Sequence, residues 1–242
     1  MLNFFKSFFP YKFKRKIKDH LGVPSLHWSL QNLKAKGFTP LCVIDIGAYE
    51  GEWTIDFLEV FPNAKVLMLE AQPAKNDKLK AIVARFTNTQ FHIAILSAND
   101  NEQVLFNENE TASHIAMHHT QQGMNHPSTF RYTHTVDTLL TNLKIRLPDF
   151  LKLDVQGHEL EVLKGANNAL SHAEIVLLEV TILDLGDETP LALEVFNYMD
   201  KNNFQIYDIT QFMRRPFDKA LYQMDILFIK KNSKFINEKR WN

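Results

Sequence analysis

A single cysteine, Cys42, stands in the whole chain. One thiol excludes an intrachain disulfide and a cysteine-based zinc cluster, and it points to a reducing compartment. An excess of either charge is missing too. Lys and Arg number 27 against 28 Asp and Glu, so no global field draws the chain to nucleic acid. No run approaches the roughly 18 unbroken apolar residues of a membrane-spanning helix. The opening MLNFFKSFFPYKFKRKIKDH is a poor secretory signal, because its charges follow its apolar residues and no small-residue cleavage site closes it. Together these absences predict a cytoplasmic protein. What is present is 242 residues, 45% apolar and 23% charged. That is enough for one large domain, or one domain with appendages, around a full core.

The balanced total hides an uneven distribution. Residues 1–20 hold Lys6, Lys12, Lys14, Arg15, Lys16 and Lys18 against Asp19 alone, a net of +5. Phe4, Phe5, Phe8, Phe9, Tyr11 and Phe13 interleave with them. Aromatics among cations suit the surface of an anionic membrane, a peripheral contact at its inner face. The plainer reading is a basic lead-in whose aromatics pack on the domain, since Pro10 interrupts any helical period.

From residue 41 the pattern alternates. LCVIDI (41–46), KVLMLE (65–70) and QFHIAIL (90–96) read as buried strands. Between them, 52–61 and 73–86 carry apolar residues at helical spacing. Residues 97–131 break the alternation with a short hairpin and polar loop, an insertion of the kind that forms a lid over a substrate site. It holds His114, His118, His119 and His126, with His134 just beyond, but no His-Glu-x-x-His metal signature. A helix at 136–143, strands at 149–155 and 174–180 with a helix at 158–170 between them, a helix at 191–201 and a closing strand pair at 204–209 and 222–230 complete the order. This predicts an α/β domain over 41–230 with helices on both faces of the sheet, preceded by the lead-in of 1–40 and followed by a polar tail from 231 to 242. Ligands in such sheets bind beyond the carboxyl ends of the strands.

Those strand ends carry the chemistry. VIDIGAYEG (43–51) places Gly47 at the sharp turn from strand to helix and Gly51 at a close approach, with Asp45 before the turn to accept from a ligand amine. The next strand ends in Glu70, a carboxylate placed to accept both hydroxyls of a ribose. A dinucleotide site would carry Gly-x-Gly-x-x-Gly, and Asp45 would repel a diphosphate, so a nicotinamide oxidoreductase is the weaker reading. A ligand with a ribose, an amino acid and a positive charge fits, which describes S-adenosylmethionine. In FLKLDVQGHELEVLKGA (150–166), Asp154 ends a strand where it can act as a base or bind a divalent cation such as magnesium. His158 at the following helix start is a weaker candidate base. Glu179 closes the neighbouring strand, and with Asp154 it can share a metal or a substrate hydroxyl. Asp225, a charge within an apolar strand, reads as structural.

These blocks, with HTVDTLL, LLEV, YDI and QMDILFIK, resemble the FkbM-type methyltransferases in order and spacing from about 41 to 230. The resemblance implies a class I, Rossmann-like fold with a seven-stranded sheet in the order 3-2-1-4-5-7-6. It implies S-adenosylmethionine as cofactor, with Asp45, Gly47, Ala48 and Gly51 at its methionine end and Glu70 on the ribose. Asp154 and Glu179 then fall on the acceptor side, for O-methylation of a sugar, glycan or secondary metabolite. EAQP stands where the family commonly has EPxP, with Ala71 in place of proline, and His158 stands where a small residue is common. The alternative class is a methyltransferase-shaped binding protein without transfer activity.

Overall fold

The computed structural model describes residues 23–107, 114–115, 128–186 and 189–241. Most of the basic, aromatic lead-in and His118, His119 and His126 lie outside the described residues. In chain order the elements are α1 (Leu26–Ala35), β1 (Cys42–Ile46), α2 (Glu52–Val60), β2 (Lys65–Glu70), α3 (Asn76–Arg85) and β3 (Thr89–Ile93). Four short strands follow: β4 (Ile95–Leu96), β5 (Gln103–Asn107), β6 (His114–Ile115) and β7 (Ser128–His134). Then come α4 (Val136–Asn142), β8 (Phe150–Leu153), α5 (Glu159–Lys164), α6 (Asn167–His172), β9 (Ile175–Thr181), α7 (Ala192–Lys201), β10 (Phe204–Arg214) and β11 (Leu221–Lys230).

The main sheet runs β10-β11-β9-β8-β1-β2-β3. Counted along the chain within this sheet, that is the order 3-2-1-4-5-7-6. Its pairs are parallel except those of β11, which is antiparallel to both β9 and β10. The apolar runs of β1, β2, β8 and β9 follow from burial on both faces, as a parallel sheet covered by helices requires. Alternate residues feed two cores. Ile44, Ile46, Leu67, Leu151 and Val176 join one. Val43, Met68, Phe150 and Leu177 join the other, with Leu30 and Leu33 of α1. The second core is aromatic: Phe57 packs on Trp53, Phe61 and Phe150 at centroid separations of 5.0, 5.1 and 5.1 Å. The polar tail does not simply trail away. Lys234–Ile236 form a single 3-10 turn, and Phe235 is buried edge-on against Phe38.

Three elements differ from the pattern in the sequence. The strand expected over 90–96 breaks at Ala94, and Ile95–Leu96 leave the main sheet to pair with β7 in a second sheet of order β4-β7-β5-β6. The helix expected over 158–170 is two helices parted at Gly165-Ala166. At the break the Asp137 N–H donates to the Gly165 carbonyl at 3.2 Å, and the Asp137 carboxylate accepts the Asn168 and Ala169 N–H groups. A Cβ on Gly165 would lie 2.2 Å from the Ser97 carbonyl oxygen, so the strand-to-insertion turn occupies the space a side chain would need. The sixth strand runs on to Arg214, because β10 and β11 pair along their whole length as a long hairpin.

Gly165→Ala tests that contact. A backbone atom cannot swing aside as a side chain tip can, so the variant is expected to lose about 2–3 kcal/mol of stability in urea titration.

Candidate active site

The turn after β1 is built from left-handed residues. Gly47 has φ 72, Tyr49 φ 50 and Gly51 φ 83. Gly47 is required by close approach: a Cβ there would sit 1.8 Å from the Asp154 carbonyl oxygen, so the ends of β1 and β8 touch. Gly51 faces protein, since its missing Cβ would meet Ile82 of α3 at 2.9 Å. Ala48 is buried in the aromatic core. Glu70, at the end of β2, ties this turn down. Its Oε2 accepts the Tyr49 N–H at 2.7 Å and its Oε1 the Gln72 N–H at 2.9 Å. Burial pushes its carboxyl above the ordinary range, against those hydrogen bonds. Lys75 braces the other side, over the Tyr49 ring at 3.9 Å and 3.3 Å from Glu50.

Behind the turn lies a buried ion pair that the sequence reading did not single out. Asp45 and Lys152 are register partners on adjacent parallel strands, and both are enclosed. Lys152 Nζ is 3.1 Å from Asp45 Oδ1 and 3.8 Å from Asp154 Oδ2. It donates to the carbonyl oxygens of Gly47 and Ile46 at 2.7 and 3.3 Å. The contact with Oδ1 is ionic in geometry and leaves that oxygen without a hydrogen bond, whereas Oδ2 accepts from Thr54 at 2.6 Å. Burial opposes the ammonium, and the carboxylates of Asp45, Asp154 and Glu70 outweigh it, so its pKa lies above that of an ordinary lysine. Asp45 was expected to meet the ligand amine. It is instead 0% exposed and faces inward, so it acts on the turn through Lys152 and Thr54.

The loop after β8 turns through Gln156 (φ 55) and Gly157 (φ 94). Glu159, the first residue of α5, stitches it by accepting the N–H groups of Val155 and Gly157 at 2.9 and 3.2 Å. Burial pushes its carboxyl up to about 7. Gln156 bridges the two acids named from the sequence, donating to Asp154 at 2.8 Å and Glu179 at 3.3 Å. Glu179 lies inside β9, opposite Asp225 of β11, and also accepts from Gln223 at 3.2 Å. Burial first, then the charges of Asp154, Glu159 and Asp225, push its carboxyl up to about 9. Asp225 is lifted to about 6 by the same burial and by Asp154. At neutral pH Glu179 therefore holds a proton and is poorly suited to accept one. His158 Nε2 is 3.0 Å from Ser97 Oγ, and burial lowers its pKa.

Two clefts open beyond these strand ends. The smaller, about 200 Å³, runs from Glu70 and Gln72 past Ile95, Leu96 and Phe106 to His158. Phe106 comes from the second sheet, which is held across the cleft where the Arg131 guanidinium donates to the Ala71 carbonyl. The larger, about 770 Å³, lies between α1, the start of α2 and the β10–β11 hairpin. Gly47, Tyr49 and Asp154 line both. Glu179, Asp45 and Gly51 line neither. Among the described residues no three His, Cys, Asp or Glu side chains converge as a metal site. The pair proposed for a divalent cation, Asp154 and Glu179, is bridged by an amide, and the cation beside Asp154 is Lys152.

Residues 45–206 match the model of the methyltransferase FkbM domain. The chain belongs to the FkbM methyltransferase family. A 59-residue stretch is 42% identical to the hexuronic acid methyltransferase AglP of Haloferax volcanii, spanning 24% of this chain and 25% of that protein. The fold superimposes on the methyltransferase FkbM of Methylobacillus flagellatus with a TM-score of 0.51 and 18% identity, over 76% of this chain and 42% of that one. A magnesium protoporphyrin IX methyltransferase from Synechocystis aligns over 92% of this chain and 85% of its own, at 13% identity and a TM-score of 0.46. The chain thus spans a quarter of the curated relative and under half of the FkbM structure. The matched stretch holds the β1 turn, Glu70, Lys152 and Asp154, but stops before the hairpin tip and β11.

Two outcomes test this framework. Lys152→Met leaves Asp45 buried and unpaired, which costs about 3–5 kcal/mol, so urea titration is expected to show a loss of that size. The Lys152→Met/Asp45→Asn double variant is expected to lose less than the sum of the two single changes, because the orphaned charge is gone. Glu179 sets a pH dependence. Its folded pKa is raised, so its neutral form favours folding fully below the unfolded value of 4.5, and that benefit is lost as pH rises toward about 9. One such group lowers stability by up to about 1.4 kcal/mol per pH unit. Between pH 7.5 and 9 the melting temperature of the wild type is expected to fall, and that of Glu179→Gln to stay nearly level.

Proposed function

We propose that this FkbM-family protein is an S-adenosylmethionine-dependent O-methyltransferase whose acceptor is a hydroxyl of a sugar or glycan. The observation that carries the reading is that two clefts of different character meet at Asp154. The smaller has the chemistry of a nucleoside site. Glu70 presents a carboxylate whose oxygens each retain a lone pair beyond their backbone bonds, so both can accept ribose hydroxyls. Ile95, Leu96 and Phe106 offer apolar surface to a flat base. The Gly47 turn lets backbone and Asp154 approach the charged end of the ligand. When bound there, S-adenosylmethionine supplies a methyl group on a positively charged sulfur.

The protein's part in such a transfer is alignment and proton handling. The larger cleft admits a polyhydroxylated acceptor and brings its hydroxyl to Asp154. Asp154 accepts that hydroxyl's hydrogen bond, orients its oxygen toward the smaller cleft and takes its proton as the new C–O bond forms. Gln156 holds the carboxylate on one side and Lys152 faces it on the other. His158, paired with Ser97, belongs to the smaller cleft, so it shapes the donor side. The similarity to a hexuronic acid methyltransferase over one quarter of the chain supports a sugar acceptor.

Calorimetry should find binding of S-adenosylmethionine and none of NAD. Glu70→Gln, which replaces an acceptor oxygen by a donor, should weaken that binding roughly tenfold or more. Asp154→Asn should keep cofactor affinity while lowering methyl transfer to a sugar panel, followed by mass spectrometry, by roughly 10²–10⁴-fold. Normal turnover by a folded Asp154→Asn enzyme would overturn the assigned base.

A further inference from the structure

We propose that the tip of the β10–β11 hairpin docks this protein on an anionic lipid surface. The tip, Met213–Ala220, reads MRRPFDKA: Arg214 makes the last β10–β11 pair with Leu221, the residues after it form the turn, and Arg215 N–H on the Ala220 carbonyl at 2.9 Å closes it. Phe217 is 89% exposed, and Met213 and Phe212 are 45% and 44% exposed. Large apolar side chains gathered at a loop end, with no core to enter, mark an interaction surface. Charge indicates what the surface meets. Arg214, Arg215 and Lys219 stand against Asp218 alone, and Asp218 is already bound to Arg215, whose Nε lies 2.9 Å from its carboxylate. Arg215 and Arg214 also lie over the rings of Phe217 and Phe212, at 5.5 and 5.7 Å. A rigid turn with an aromatic point ringed by cations seats its ring at the headgroup level of an anionic membrane while its cations meet the lipid phosphates. Pro216 keeps that turn stiff, so little order is lost on docking.

Position in the fold makes the contact useful. Thr210, Gln211 and Phe212, just before the tip, form a wall of the larger cleft. Val23, where the described chain begins, lines the same cleft, and the residues leading to it are the cation- and aromatic-rich stretch of 1–20. Docking through the tip therefore sets a wall of the larger cleft beside the lipid. No helix among the described residues is long and apolar enough to cross a membrane, so the contact is peripheral. Each cation near such a surface strengthens attachment about fivefold, which gives reversible binding. The docking does not depend on methyl transfer, and its test needs no acceptor.

The full chain is sedimented with vesicles of phosphatidylcholine alone and of phosphatidylcholine with phosphatidylserine. It should bind the anionic vesicles, and release at 1 M salt, where the Debye length is about 3 Å. Met213→Ser/Phe217→Ser should weaken that binding about tenfold, and Arg214→Glu/Lys219→Glu at least as much. Both variants change exposed residues, so an unchanged melting temperature shows that the fold is intact. The proposal falls if the full chain ignores both vesicles, or if both variants bind as the wild type does, which would assign attachment to residues 1–20. It falls also if sedimentation equilibrium finds a wild-type dimer that Phe217→Ser splits, which would make the tip a contact between copies.

Discussion

The buried ammonium of Lys152 is the interaction on which the site depends. It sits where the ends of β1 and β8 meet and touches the carboxylate of Asp45, the carbonyls of Ile46 and Gly47 and the side of Asp154. Two charges removed from water are expensive unless each finds its partner, and replacing such a pair with apolar groups often stabilises a protein. What the pair contributes here is geometry. The Gly47 carbonyl takes its donor from Lys152, and the Ile46 carbonyl also accepts the Asp154 N–H at 3.1 Å, so the ammonium and a backbone bond together hold the turn against β8. The pair therefore fixes the distance between the β1 turn and the Asp154 carboxylate, both of which line the two clefts.

A second constraint is the crowding of acids around that centre. Burial, with the charge of Asp154 nearby, raises the carboxyls of Glu159, Glu179 and Asp225. The proton is held most firmly by Glu179, whose carboxyl is pushed up to about 9. Glu159 and Glu179 become hydrogen-bonded supports of the β8–α5 loop. Asp154 lies beside the ammonium and lines both clefts. The division of roles among similar side chains is thus set by solvent access and by one neighbouring cation.

Much of this was legible in the sequence because parallel sheets write themselves plainly. Strands buried on both faces read as continuous apolar runs, and the residues that end them are where polar groups appear. LCVIDIG, KVLMLE and FLKLDV therefore announced the strands and the ends where Gly47, Glu70 and Asp154 stand, while the order of the strands came from the resemblance to the FkbM family. Lys152 left a signal as well. It is a cation one step before the end of a buried strand, matching an anion one step before the end of another. Only the register between β1 and β8 turns that coincidence into a pair.

Local pattern could not decide which way a strand-end carboxylate faces. Asp45 and Glu70 look alike in sequence, yet one is sealed behind its turn and the other lies against a cleft. The difference comes from which neighbour supplies the donor: Lys152 and Thr54 from behind for Asp45, backbone N–H groups at the rim for Glu70. The helix expected across Gly165 failed for the same kind of reason, because the Asp137 N–H that donates to the Gly165 carbonyl and the Ser97 carbonyl that crowds it both come from distant parts of the chain. Periodicity records burial along one element. Contacts between elements distant in sequence, and the proton positions that follow from them, exist only once the chain is folded. The sequence by itself determined the strands and the set of polar strand ends, and its resemblance to the FkbM family implied their order. Tertiary structure decided which of those ends face a ligand and which hold the frame, since that depends on long-range neighbours and on access to water.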